Sequence, residues 1–143
     1  MANIFDVAKY ILENTGEIST MKLQKLCYYS QAWSLVWTEE PLFHERIEAW
    51  ANGPVCPELY KKHEGMFKIS ANTISDTTGD MTDDEKNTID TVLKFYGEKT
   101  GLWLSQLTHM EAPWLNARKG LSVNDRSAKE ILLSDMAEYY GSL

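Results

Sequence analysis

Apolar positions in this chain recur mostly at three- and four-residue intervals, the period of an α-helix packed on one side. Ile4, Ala8, Ile11 and Leu12 share one face, widened by Phe5, and Asn3 is placed to cap the first turn. Asn14-Thr15-Gly16 ends this helix, Gly16 suiting the left-handed position past the last turn. A second helix opens at Ser19 or Thr20 and runs through MKLQKLCYYSQAWSLVWT. One stripe carries Leu23, Leu26, Cys27, Ser30, Trp33 and Trp37, and the opposite side carries Met21, Tyr28, Ala32, Leu35 and Val36. A helix apolar on nearly all sides is surrounded by other elements, so this segment is predicted to be the central helix. Gln24 and Gln31 lie on the narrow polar line between the stripes, and their amides need partners once buried.

Beyond Pro41 the helical period weakens. Ile47, Ala49 and Trp50 suit a short extended segment, and Gly53-Pro54 reads as a turn. Pro57 suits the first turn of a short helix, PELYKKH, closed by Gly65. FKISANTIS reads as a strand or hairpin arm. Thr82 with Glu85 forms a capping box before Ile89, Val92, Leu93 and Tyr96, with Gly97 near the end. A helix after Thr100 carries Trp103, Leu107 and Met110, and Pro113 starts a short element holding Trp114 and Leu115. Ser127 with Glu130 forms a second capping box. It aligns Ala128, Leu132, Met136, Tyr139 and Tyr140 along a last helix ended by Gly141. The prediction is a mainly α fold: a single compact multi-helix domain spanning residues 1–143, with a central apolar helix. It holds about five to seven helices and a small β element around residues 42–80.

Composition narrows the choice of function. A chain of 143 residues has room for one real core. The formal net charge of −7 argues against a broad grip on nucleic acid, which needs clustered Lys and Arg, and suits a basic partner. Lys22, Lys25, Lys61 and Lys62 read as solvated surface. Five Trp and seven Tyr are many for this length, and large aromatics build interfaces as well as cores. Charges run throughout the N-terminal stretch, and no window reaches the roughly 18 apolar residues of a membrane span. A reduced, cytoplasmic protein without membrane contact is expected.

The chemistry-bearing residues are sparse. Cys27 falls in the apolar helical pattern, whereas Cys56 follows a turn in a loop that would expose it. As a nucleophile, Cys56 would need His63 or His109 as base, and nothing local marks it as activated. Cys56 and His63 alone are too few ligands for a zinc site. No phosphate-cradling glycine motif occurs. His109 and Glu111 diverge on a regular helix, which favours a hydrogen-bonding or capping role for them. No catalytic residue, metal or cofactor is expected.

MKLQKL with YYSQAW (Met21 to Trp33), EPLF (Glu40 to Phe43) and IEAWANGPVCPELY (Ile47 to Tyr60) resemble the N-terminal signature of the Panacea-domain family, the SocA-like antitoxins, many of them phage-associated. LTHMEAPWLNAR, Leu107 to Arg118, resembles the family's Thr-x-x-Glu-x-Pro-Trp-like run, and the paired Tyr139 and Tyr140 resemble its final helix. The resemblance spans nearly the whole chain and is weakest from Phe67 to Asp84. It implies an antitoxin that neutralises, by direct contact, a protein toxin encoded by an adjacent gene. One branch of the family hands its toxin to the ClpXP protease, so a ClpXP-type protease is a second implied partner. Two other readings stay open: a phage or mobile-element protein that binds a host protein, and a transcriptional regulator.

A rigid corner at Gly53, Pro54 and Pro57, flanked by Trp50 and Tyr60, would lose little entropy on binding. With Glu111 and Trp114 from the second block, these are the candidate partner-binding residues. The alternative is that they build the scaffold, and that partner choice lies in the acidic stretch from Phe67 to Asp84.

Overall fold

The computed structural model describes residues 2–143. In chain order the elements are α1 (Ile4–Thr15), β1 (Ile18–Ser19), α2 (Thr20–Trp37), β2 (Glu48–Trp50), β3 (Gly53–Val55), α3 (Pro57–His63), β4 (Lys68–Ile69), α4 (Asp83–Tyr96), α5 (Gly101–Thr108), α6 (Ala112–Ala117) and α7 (Leu133–Gly141). The fold is mainly α, with seven α-helices among the described residues and two small antiparallel sheets, β1 with β4 and β2 with β3.

Helix starts follow local chemistry. The Asn3 side chain accepts from the Asp6 N–H while the Asp6 carboxylate accepts from the Asn3 N–H, and Thr82 and Glu85 repeat this box at α4. Ser19 and Thr100 cap α2 and α5. Gly16 leaves α1 with φ +76°, a region that favours glycine.

The α2 helix is the central element, with α1, α4, α5 and α7 packed around it. Leu23, Leu26, Cys27, Tyr28, Tyr29 and Ala32 are all buried on it. Its two glutamines work as hooks. Gln31 Oε1 accepts from the N–H groups of Leu42 (2.7 Å) and Phe43 (3.3 Å), and its Nε2 donates to the Phe43 carbonyl at 2.8 Å. That clasp holds the irregular segment after Pro41 and seats Leu42 and Phe43 in the core. Gln24 clasps Cys56 in the same way, with its Oε1 2.9 Å from the Cys56 N–H and its Nε2 3.3 Å from the Cys56 carbonyl.

Three local expectations are corrected. Gly53-Pro54 is not the turn: the chain reverses at Ala51 and Asn52, and Gly53–Val55 is the second hairpin strand. No capping box forms at Ser127. Residues 129–131 are extended against the free edge of β2, with Ala49 N–H donating to the Lys129 carbonyl (2.8 Å) and Ile131 N–H to the Ile47 carbonyl (2.8 Å). Edge pairing satisfies backbone groups that an exposed extra helical turn could not bury, so the last helix begins only at Leu133. On α5, Trp103 is exposed and Leu107 packs half-buried against the core, with Met110 just past the helix 69% exposed; Gly101, Leu104, Ser105 and Thr108 form the buried side. Of FKISANTIS only Lys68–Ile69 is strand, paired with Ile18–Ser19. Among the described residues no helix is long and apolar enough to cross a membrane.

Replacing Gln31 by Leu removes the clasp and strands buried backbone groups of Leu42 and Phe43. The expected loss is about 3 kcal/mol, read in urea unfolding as a lower midpoint at unchanged slope.

Candidate functional site

The β2–β3 hairpin is too short to be stable by itself. Its register pairs Glu48 with Val55, Ala49 with Pro54 and Trp50 with Gly53. Side chains from the helices occupy the carbonyls that this ladder leaves over. Arg118 Nη1 donates to Ala49 (2.8 Å), Trp114 Nε1 to Trp50 (2.8 Å), Ser105 Oγ to Asn52 (2.5 Å) and Lys25 Nζ to Pro54 (3.2 Å). Ser105 on α5 thus holds the hairpin turn at Asn52, and Trp114 and Arg118, in and just past α6, hold β2 at Trp50 and Ala49. His109 stacks on Trp114 with ring centroids 4.2 Å apart, and the Arg118 guanidinium lies 4.9 Å from the same ring. Arg118 is itself buried, and the two N–H groups of its Nη2 are shared among the carbonyls of Asp125 (2.6 Å), Ser122 (3.1 Å) and Val123 (3.2 Å).

On the other side of the hairpin lies a cleft of about 750 Å³, walled by α2, the hairpin and α3. Trp50 and Tyr60 form one wall, edge to face at 4.8 Å, and Trp50 Nε1 donates to Glu48 Oε1 at 2.8 Å. Beneath them is a polar floor. Lys25, expected on the surface, is only 1% exposed. Its stem passes over Gly53, where any added Cβ would meet Lys25 Cε at 2.5 Å, and the Gly53 φ of +118° likewise favours glycine. The helical period alone cannot reveal this burial, because Lys25 lies beside Gln24 on the line that reads as polar. Burial pulls its ammonium down to about 7.

Gln24 fixes the protonation of the neighbouring ring. Its Oε1 is committed to the Cys56 N–H, so the amide nitrogen 3.0 Å from His63 Nε2 must donate, and that ring nitrogen accepts. A neutral His63 follows, in accord with burial, which lowers its pKa, and with the nearby Lys25 charge, which lowers it further. His109 is lowered by burial first, then by Lys25 and Arg118, and its buried Nε2 has no hydrogen-bond partner among the described residues.

The predicted site residues divide in two. Trp50, Pro57 and Tyr60 are half-buried, Trp50 and Tyr60 lining the cleft, whereas Gly53, Pro54, Glu111 and Trp114 are buried. Glu111 stands at the N-cap of α6, but its side chain makes no capping bond. Its Oε1 accepts from Tyr29 (2.6 Å) and Tyr140 (2.8 Å), and Tyr140 lies 3.0 Å from Tyr28 through their hydroxyls. Burial raises the Glu111 pKa, and the two tyrosine hydrogen bonds hold it back. Cys56 is buried, contrary to its expected exposure, because Gln24 draws its backbone inward, and burial pushes its thiol up to about 11. A thiolate nucleophile is disfavoured there. Lys25, Ser105 and Arg118 are the members that residue patterns missed, whereas Gln24 was marked by its place on the polar line of α2; Ser105 lies on α5 and Arg118 just past α6, so no single periodicity links them.

A family model described as antitoxin SocA-like, Panacea domain, matches residues 23–115. The chain belongs to this Panacea family. The matched segment of the Panacea domain holds Gln24, Lys25, the hairpin, α3, and the clamp through Trp114; Arg118 and α7, with its paired tyrosines, lie outside it. Searches of curated proteins and of solved structures return no match. Among the described residues of this Panacea domain, no group of three or more His, Cys, Asp or Glu is placed to hold a metal ion.

Lys25→Met retains the stem and removes the charge. Between pH 7 and pH 9 the unfolded lysine still holds its proton, whereas the folded one, near 7, has released it. Wild-type stability from this group therefore rises with pH. The variant is expected to be more stable at pH 7, and its advantage to shrink by up to about 1.4 kcal/mol per pH unit toward pH 9. Paired urea titrations across that window check the sign.

Proposed function

We propose that this Panacea domain is an antitoxin that binds and blocks a protein toxin, the product of a neighbouring gene, and that it acts as a binding protein without catalysing a reaction. The observation that carries the reading is the family match over residues 23–115, the part of the chain that contains the hairpin and most of the side chains that hold it. The contact surface is the open side of that hairpin. Trp50, Pro57 and Tyr60 are the residues that touch the partner, and Gly53, Pro54, Glu111 and Trp114 set their positions. Half-buried aromatics on a clamped frame lose little entropy on association, and Trp and Tyr carry large shares of binding energy. The net charge of −7 favours a basic toxin surface.

The stretch from Phe67 to Asp84 adds specificity beside this surface. It is tied down by Asp6, which accepts from Thr78 N–H (2.9 Å), Thr78 Oγ1 (2.6 Å) and Gly79 N–H (3.2 Å), and by the Lys62–Asp76 ion pair. It leaves Phe67 76% exposed.

Co-expression with the adjacent open reading frame tests the reading. That product alone should arrest growth, and this chain should restore it. A harmless neighbour, or one that stays toxic in the chain's presence, overturns the proposal. Tyr60→Ala should weaken toxin binding about 30-fold, roughly 2 kcal/mol, with little change in melting temperature. Trp114→Ala should lower the melting temperature as well, since it empties a buried site. Toxin half-life with and without a ClpXP-type protease separates simple blocking, in which the half-life is unchanged, from delivery for degradation.

A further inference from the structure

We propose that the cleft beside the hairpin binds a small planar organic anion, a carboxylate or phosphate carried on an aromatic body. The volume of about 750 Å³ lies within the range of small-molecule sites and exceeds what one inserted side chain could fill. Its polar groups are unspent. Among the described residues, Arg126 at the rim has neither ion pair nor hydrogen bond, the Asn52 amide and the Tyr60 hydroxyl have no partner, and Lys25 is bonded through its ammonium only to Pro54. Glu48, the one carboxylate in the lining, is already engaged by Arg46 at 3.1 Å and by Trp50 at 2.8 Å. The cleft is therefore locally positive within an acidic chain. Trp50 and Tyr60 supply an aromatic wall for a flat body. Arg126 meets the anion at the rim, where its planar fork suits a carboxylate or phosphate, and Lys25 on the floor, part-protonated near pH 7, is drawn to its charged form by the anion and adds to its hold. A small anion responds to this local charge, whereas a whole protein surface answers first to the net −7. The inference does not depend on the antitoxin reading.

The test titrates the ¹⁵N-labelled full chain with AMP, benzoate, inorganic phosphate and uncharged adenosine. The signals followed are the Trp50 indole N–H and the Asn52 and Val55 amides. AMP or benzoate is expected to shift them saturably, with a dissociation constant below about 1 mM and at least about tenfold tighter than adenosine. Arg126→Ala, on an exposed loop, should weaken that binding at least about tenfold without changing the unfolding midpoint. Lys25→Met should weaken it too. The proposal is overturned if neither AMP nor benzoate saturates, if adenosine binds equally well, or if phosphate alone binds as tightly and leaves Trp50 unmoved, which is an adventitious ion only. It also fails if a toxin complex places an acidic side chain in the cleft while no small anion binds; that outcome leaves the antitoxin function intact.

Discussion

The constraint on which the rest depends is that a short ribbon must have every buried carbonyl satisfied. The two strands at Glu48–Trp50 and Gly53–Val55 satisfy only part of their own backbone. Donors for the remainder come from Lys25 on α2, from Ser105 on α5, and from Trp114 and Arg118 at and beyond α6. Each leaves a buried acceptor alone if it moves, at about 1–3 kcal/mol. The hairpin is thus held at a position set by three helices, and the aromatic pair at its open side inherits that fixity. The clamp also explains why sequence blocks far apart along the chain share one signature: Gln24 and Lys25, the Trp50 to Cys56 corner, and the run from Ser105 to Trp114 meet around the same few backbone groups.

Placing an ammonium under this hairpin is expensive, and the neighbourhood is arranged around it. Gly53 has no side chain where the Lys25 stem crosses. His63 and His109 are both driven toward the neutral form, partly by that charge. Arg118, also buried, spreads its charge over four carbonyls and an indole face. Two cations thus lie close to the hairpin without a carboxylate paired to either among the described residues.

Much of the helical frame was legible because its signals are local. Asn3, Thr82 and Pro57 act within one turn of themselves, and each begins the helix its chemistry indicates. Errors arose where a distant strand or helix competed. Ser127 and Glu130 have the right residues for a box, but the β2 edge draws residues 129–131 into extended pairing. Gly53-Pro54 has turn chemistry, yet register with Ala49 and Trp50 places both residues in a strand. At the site, the corner residues were visible as a motif. Their division into surface aromatics and buried supports was not, because burial is set by elements up to dozens of positions away. Lys25 is the clearest case: nothing in its neighbours along the chain announces that a hairpin will cover it.

The Glu111 carboxylate sits between hydroxyls from opposite ends of the chain, Tyr29 on the central helix and Tyr140 on the last. A keystone of this kind locks two arms of an arch together. If α7 detached, a carboxylate that dislikes burial would lose one of its two donors while still enclosed by the other. Fraying at the carboxyl end is therefore felt at once beside Trp114 and the hairpin. The molecule should melt as one cooperative body, and a fragment limited to residues 23–115 would lack the piece that closes its own interior.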